Sequence, residues 1–204
     1  ENVFQYCTRL ASVEWNARHC ADFNDNASSK PFSALANTIT SFTFGNEVEY
    51  VPAYLCKGLN EIDTIYFPNS INSIGSNAFS GCTGIKHLNL PNSIEDIGSY
   101  AFSGCNGLQS VTLPNNIIEI SNGVFSSCRN LETLILPEGI TNIGVWAFYY
   151  CDNLTSIIFP KSLRSVGKEA FANCRLYSFD MGNGLQTIGD YAFYRCSFDS
   201  VVVG

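Results

Sequence analysis

The chain is poor in the residues that enzymes and nucleic-acid binders rely on. Only two of its 204 residues are histidine, and only 14% are charged. Lys and Arg total 11 against 18 Asp and Glu, a net charge of −7. A chain of this sign gains nothing from counterion release on nucleic acid and is repelled by anionic membranes, so neither is an expected partner. No apolar run reaches the roughly 18 residues that a bilayer-crossing helix needs, so no membrane insertion is expected. Glu1-Asn2-Val3 is not a charged region leading into an apolar stretch, so any signal peptide is expected to be gone already. Nine cysteines include no C-x-x-C pair, and G-x-G-x-x-G, P-loop and H-E-x-x-H motifs are missing. His19 and His87 have no Ser or Cys partner with a third orienting group at a recognisable spacing. Catalytic residues, cofactors and bound metals are therefore not expected.

What the sequence does have is a repeat. Pro68, Pro91, Pro114, Pro137 and Pro160 follow one another at steps of 23 residues. Phe79, Phe102, Phe125, Phe148 and Phe171 keep the same step, as do Cys82, Cys105, Cys128, Cys151 and Cys174, with Phe193 and Cys196 following at 22. The unit reads L-x-x-I-x-L-P-x-x-I-x-x-I-G-x-x-A-F-x-x-C-x-x, with a clean copy from Ile85 to Cys105. The segment x-x-I-x-L is short and alternating, which predicts a strand that proline ends. Nine such positions occur: 11–15, 40–44, 63–67, 86–90, 109–113, 132–136, 155–159, 177–181 and 199–203. The two Ile residues three apart predict a turn or arc. Gly98 and its equivalents suit a positive φ. Ser76, Ser99 and Asp190 sit where a helix cap would, ahead of a helical or 3-10 turn that points Ala101, Phe102 and Cys105 inward. One unit buries about eight apolar side chains, too few to offset the ordering of its backbone, so units must stack. Stacking predicts parallel pairing of successive strands in one sheet roughly 40 Å long.

This motif, L-P-x-x-I-x-x-I-G-x-x-A-F-x-x-C, resembles the BspA-like leucine-rich-repeat family of bacterial cell-surface and secreted proteins. The resemblance covers residues 39–204 closely and 3–38 more loosely. It implies an α/β-type solenoid, a right-handed superhelix with a parallel sheet on its concave face and short helical or 3-10 turns opposite. It also implies a secreted or cell-surface location and adhesion to host matrix proteins. The unit departs from L-x-x-L-x-L-x-x-N: the Asn position holds Ser70, Ser93, Asn116, Gly139 and Ser162.

The whole chain, 1–204, reads as a single solenoid, irregular over 1–38 and regular over 39–204. Asn16 and Gly45 hold successive Pro positions 29 apart, so about six residues are inserted within 16–38. The turn-rich stretch Asn24-Asp25-Asn26-Ala27-Ser28-Ser29-Lys30-Pro31 predicts a projecting surface loop. Both ends fall mid-unit without an evident cap, which suggests a longer array or a mature N-terminus just upstream. Seven cysteines, Cys7 among them, share one inward slot and are expected to be buried free thiols. Cys20 and Cys56 lie off that ladder, and a bridge between them is the alternative.

Outward strand positions form columns. One is nearly all hydroxyl (Ser12, Ser41, Thr64, His87, Ser110, Thr133, Ser156, Ser178, Ser200) and reads first as a β-favouring ladder. The next varies: Glu14, Thr43, Tyr66, Asn89, Thr112, Ile135, Ile158, Asp180, Val202. Variation on a rigid repeat is where recognition can be encoded. Candidate ligand contacts on this face are Tyr66, His87, Asn89, Ile135, Ile158 and Asp180. A second candidate is an aromatic ridge at the turns: Tyr100, Trp146, Tyr149, Tyr150, Tyr191 and Tyr194. The expected function is a non-catalytic recognition module for an extracellular protein. The alternatives are a glycan-binding module and a spacer that displays other domains. The oligomeric state is open.

Overall fold

The computed structural model describes residues 4–26, 30–180 and 184–202. The assignments made to Val3, 27–29, Met181 and Val203 lie outside them. Among the described residues fifteen strands occur in chain order. They are β1 (Ser12–Trp15), β2 (Ser41–Phe44), β3 (Tyr50–Val51), β4 (Thr64–Tyr66), β5 (Ser73–Ile74), β6 (His87–Asn89), β7 (Asp96–Ile97) and β8 (Ser110–Thr112). They continue with β9 (Glu119–Ile120), β10 (Thr133–Ile135), β11 (Asn142–Ile143), β12 (Ser165–Val166), β13 (Ser178–Asp180), β14 (Thr187–Ile188) and β15 (Ser200–Val202). All pairing is parallel, and each residue meets its own equivalent in the next repeat: Ser110 lies opposite Thr133, and Thr112 opposite Ile135. The chain is thus a parallel β-solenoid with almost no helix.

The front sheet holds the predicted strands, but as three hydrogen-bonded groups, β1-β2-β4, β6-β8-β10 and β13-β15. Segment 155–159 contributes only a bridge at Ser156. Proline caps these strands at about three residues, so each step carries few bonds and the ladder lapses without unstacking the coil.

A second sheet was not legible in the motif. The second Ile of I-x-x-I lies in a two-residue strand, giving the groups β3-β5-β7 and β9-β11-β12-β14. The glycine after it does not have the expected positive φ. Instead, a Cβ on Gly98 would lie 2.6 Å from the Ser76 amide nitrogen. Successive backbones approach closely here, and glycine is needed for that approach. Gly75, Gly98, Gly144, Gly167 and Gly189 each donate an N–H to the preceding repeat at 2.7–2.8 Å. Ser121 takes that slot in one repeat. Among the described residues its N–H has no such bond and β7 does not pair with β9.

The expected helical turn is a run of hydrogen-bonded turns. Ser76, Ser99 and Asp190 therefore cap no helix. Their carbonyls accept from Tyr54, Asn77 and Glu169 in the preceding repeat. Three such bonds, at 2.6–3.1 Å, join the turns at each of six boundaries. At one boundary they are Tyr100 to Asn122, Phe102 to Val124 and Gly104 to Ser126. This ladder runs unbroken where the front sheet lapses, so the turns hold the repeats in register. Left-handed backbone occurs twice per turn, two and six residues after the close-approach slot, as at Tyr100 (φ 59) and Gly104 (φ 72).

Inside, Phe79, Phe102, Phe125, Phe148, Phe171 and Phe193 stack, with centroids 5.1–5.7 Å apart and planes within 12°. Five buried cysteine thiols, those of Cys82, Cys105, Cys128, Cys151 and Cys174, each donate to a carbonyl of the preceding repeat, Cys128 to Phe102 and Cys151 to Phe125 among them. All nine cysteines are free, so Cys20 and Cys56 are not bridged. Cys7 is exposed rather than buried, because the repeat is incomplete around it. In place of an Asn ladder, Ser70, Ser93 and Ser162 donate hydroxyls to Val48, Ile71 and Ile140 at 2.6–2.7 Å. The insertion is only partly a projecting loop. Its later half forms the 3-10 helix Ser33–Leu35. There Phe32 is buried and packs on Phe4, Trp15 and Phe42, covering the first end of the core. Its earlier half is clamped by Asp22, which accepts from Tyr50 and from the Ala53 amide.

Candidate functional site

Two surfaces gather the candidate residues. On the front sheet, alternation buries Phe42, Leu88, Val111, Leu134 and Ile157 and turns their neighbours outward. Tyr66 is 56% exposed, Ile135 54% and Ile158 87%. Ile135 ends β10, and Ile158 holds the same slot one repeat later. Tyr177 is also exposed, at a slot three positions earlier in its repeat than that of Ile135 and Ile158. His87 and Asn89 are exposed at the two ends of β6. His87 Nδ1 lies 3.2 Å from the Ser110 hydroxyl. A small cavity of about 220 Å³ opens beside them, lined by Asn92, Ser110 and Thr112. Asp180 is exposed at the end of β13, two repeats beyond Ile135. Tyr66 is separated from the Ile pair by β6 and β8.

The aromatic ridge does not form one continuous row. Tyr100 is half-buried and lies across the next repeat, its ring 2.2 Å from where a Cβ on Gly123 would be. Trp146 is 38% exposed in the same column. Tyr149, Tyr150, Tyr191 and Tyr194 do converge. With Glu169, Asn173 and Arg195 they line a groove of about 460 Å³. Tyr149 and Tyr150 meet edge to face at 4.5 Å, and Tyr191 and Tyr194 at 5.8 Å. Guanidinium groups flank both pairs, Arg129 at 5.5 Å from the Tyr150 ring and Arg195 at 5.3 Å from that of Tyr194. Partial desolvation, followed by the neighbouring Tyr150 and Glu169, raises the Tyr149 pKa. Glu169, Asn173 and Arg195 were not anticipated. The available signal was that Asn173 and Arg195 share a slot that is Gly58, Gly81 and Gly104 in earlier repeats, while the Glu169 slot varies, from Asn77 to Trp146. Among the described residues, no group of three or more His, Cys, Asp or Glu is placed to hold a metal ion.

Both surfaces are built by repeat register, and the repeat itself has a match. The model of the BspA type leucine-rich repeat region matches six copies over residues 1–101, 26–154 and 73–199. The chain belongs to this family. Solved structures of leucine-rich repeat proteins agree in fold. A leucine-rich repeat protein from Bacteroides ovatus is 24% identical with a TM-score of 0.84, over 97% of this chain and 50% of that one. One from Eubacterium ventriosum is 23% identical with a TM-score of 0.74, over 87% and 48%. A leucine-rich cell surface protein from Faecalibacterium prausnitzii is 21% identical with a TM-score of 0.55, over 98% and 69%. The BspA-type chain thus spans about half the length of the first two. Among curated proteins, none matches it.

Proposed function

We propose that the chain is a non-catalytic extracellular recognition module that binds a protein ligand, a host matrix or surface protein, through its front sheet. The observation that carries this reading is the exposure of Tyr66, Ile135 and Ile158 at a fixed slot where most other repeats place a polar residue, Glu14, Thr43, Asn89, Thr112 or Asp180. Large exposed apolar groups on a regular sheet invite burial by a partner, and aromatic anchors are frequent hot spots. The family and the likeness to a cell-surface protein support a secreted or surface location.

The test is a pull-down from extracellular matrix with the intact chain and its Tyr66→Ala and Ile135→Asp variants. Capture of a matrix protein by the parent, lost in either variant, supports the reading. No capture by any of them favours a spacer role, and equal capture by all of them removes the front sheet from the account.

A further inference from the structure

The groove at the turns has a property that the front sheet lacks. Five of its seven lining residues, Tyr150, Glu169, Asn173, Tyr191 and Arg195, have φ between 53° and 62°. A bulky residue in this region is strained, whereas glycine adopts it freely. The second left-handed slot holds Gly58, Gly81 and Gly104 in earlier repeats, then the small Ser127, then Tyr150, Asn173 and Arg195. Bulky groups thus replace glycine at this slot only in the later repeats, where the groove lies. Strain kept at clustered positions points to what those side chains present.

What they present suits a sugar. Tyr191 and Tyr194, 65% and 48% exposed, offer ring faces for the C–H face of a pyranose, and Tyr149 and Tyr150 form a second edge-to-face pair. Glu169, Asn173 and Arg195 supply hydroxyl acceptors and donors. The volume of about 460 Å³ lies in the range of small-molecule sites. At the slots of Tyr149 and Tyr150 earlier turns carry Ser80, Ser103, Gly81 and Gly104, so paired tyrosines are confined to a patch although Tyr54, Tyr100 and Trp146 share the Tyr191 slot, whereas a protein partner would need a broader surface. Lys168 lies 3.7 Å from Glu169, Arg129 lies 3.6 Å from Asp152 and Arg195 stacks on Tyr194, so the cations around the groove already have partners and none is held out for an anionic ligand.

We propose that this groove binds a neutral oligosaccharide, at a site separate from the front sheet and independent of its ligand. An array of neutral and acidic glycans, probed with the intact chain, tests this. Binding to neutral glycans is expected, with affinity reduced about tenfold or more by Tyr191→Gly or Tyr194→Ala and unchanged by Tyr66→Ala. Because Tyr191 is exposed and left-handed, Tyr191→Gly should melt no lower than the parent, so loss of binding is not loss of fold. No binding to neutral glycans, binding to acidic glycans alone, or binding unaffected by both tyrosine variants would overturn the proposal. Capture of a matrix protein that depends on Tyr191 and Tyr194 would overturn it as well.

Discussion

Cys105 donates its thiol hydrogen to the Phe79 carbonyl, 3.2 Å away in the preceding repeat. The slot therefore suits a small apolar residue that can also donate, and cysteine is both. Cys105→Ala keeps the backbone but loses the bond and leaves a void. Chemical denaturation should show a loss of about 1–3 kcal/mol.

The same burial sets a pH dependence. Burial pushes the Cys105 thiol from an ordinary value of 9.0 up to about 12. Burial also raises Cys56, Cys82, Cys128 and Cys151. Above pH 9 the unfolded chain releases these protons while the folded chain keeps them. The unfolded state then binds fewer protons, so stability falls as pH rises. Stability is fully present below about pH 9 and declines toward pH 12, by up to about 1.4 kcal/mol per pH unit for each such thiol. Melting curves between pH 8 and pH 11 under reducing conditions check this, on the scale of roughly one unit either side of the thiol range. A thiol reagent should modify Cys7 in the native chain and reach Cys56, Cys82, Cys105, Cys128, Cys151 and Cys174 only on unfolding.

Gly98 and Ser121 hold one slot with opposite consequences. Gly98→Ala drives a methyl into the Ser76 backbone and should cost about 1–3 kcal/mol. At Ser121 the same amide lacks its bond to the preceding repeat and should exchange with solvent fastest of the six equivalents. Ser121→Gly should close that bond and slow the exchange, which NMR or mass spectrometry reads directly.

Gly123→Ala meets two penalties: φ is +62°, and the new methyl collides with the Tyr100 ring. The left-handed strain alone is about 1–2 kcal/mol. Adding Tyr100→Ala removes the collision but not the strain, so a double-mutant cycle should show partial rescue rather than additivity.

How much of this was legible depends on what each residue repeats. Phe102 and Cys105 recur at a fixed step, so their stacking followed from the period. The outward turn of Ile135 and Ile158 followed from alternation. Two-residue strands such as β5 show no alternation, so the second sheet left no trace. Gly98 was read as a conformational glycine because sequence cannot separate a need for positive φ from a need for close approach. The left-handed slots were hidden because bulky residues, Tyr100, Trp146 and Tyr191, occupy them. Tyr100 looked like ridge surface, but it covers Gly123, a contact that only the stacked neighbour reveals. The burial of Phe32, just past the predicted loop, left no trace because its partners Phe4, Trp15 and Phe42 are remote in sequence.

The central claim is that recognition is spread over equivalent slots of the front sheet. Its most direct test is surface plasmon resonance of the captured matrix protein on the intact chain and on Ile158→Asp. Ile158 supports little of the core, so the variant should melt as the parent does while binding weakens about tenfold or more. Undiminished binding by a folded Ile158→Asp chain would contradict the account.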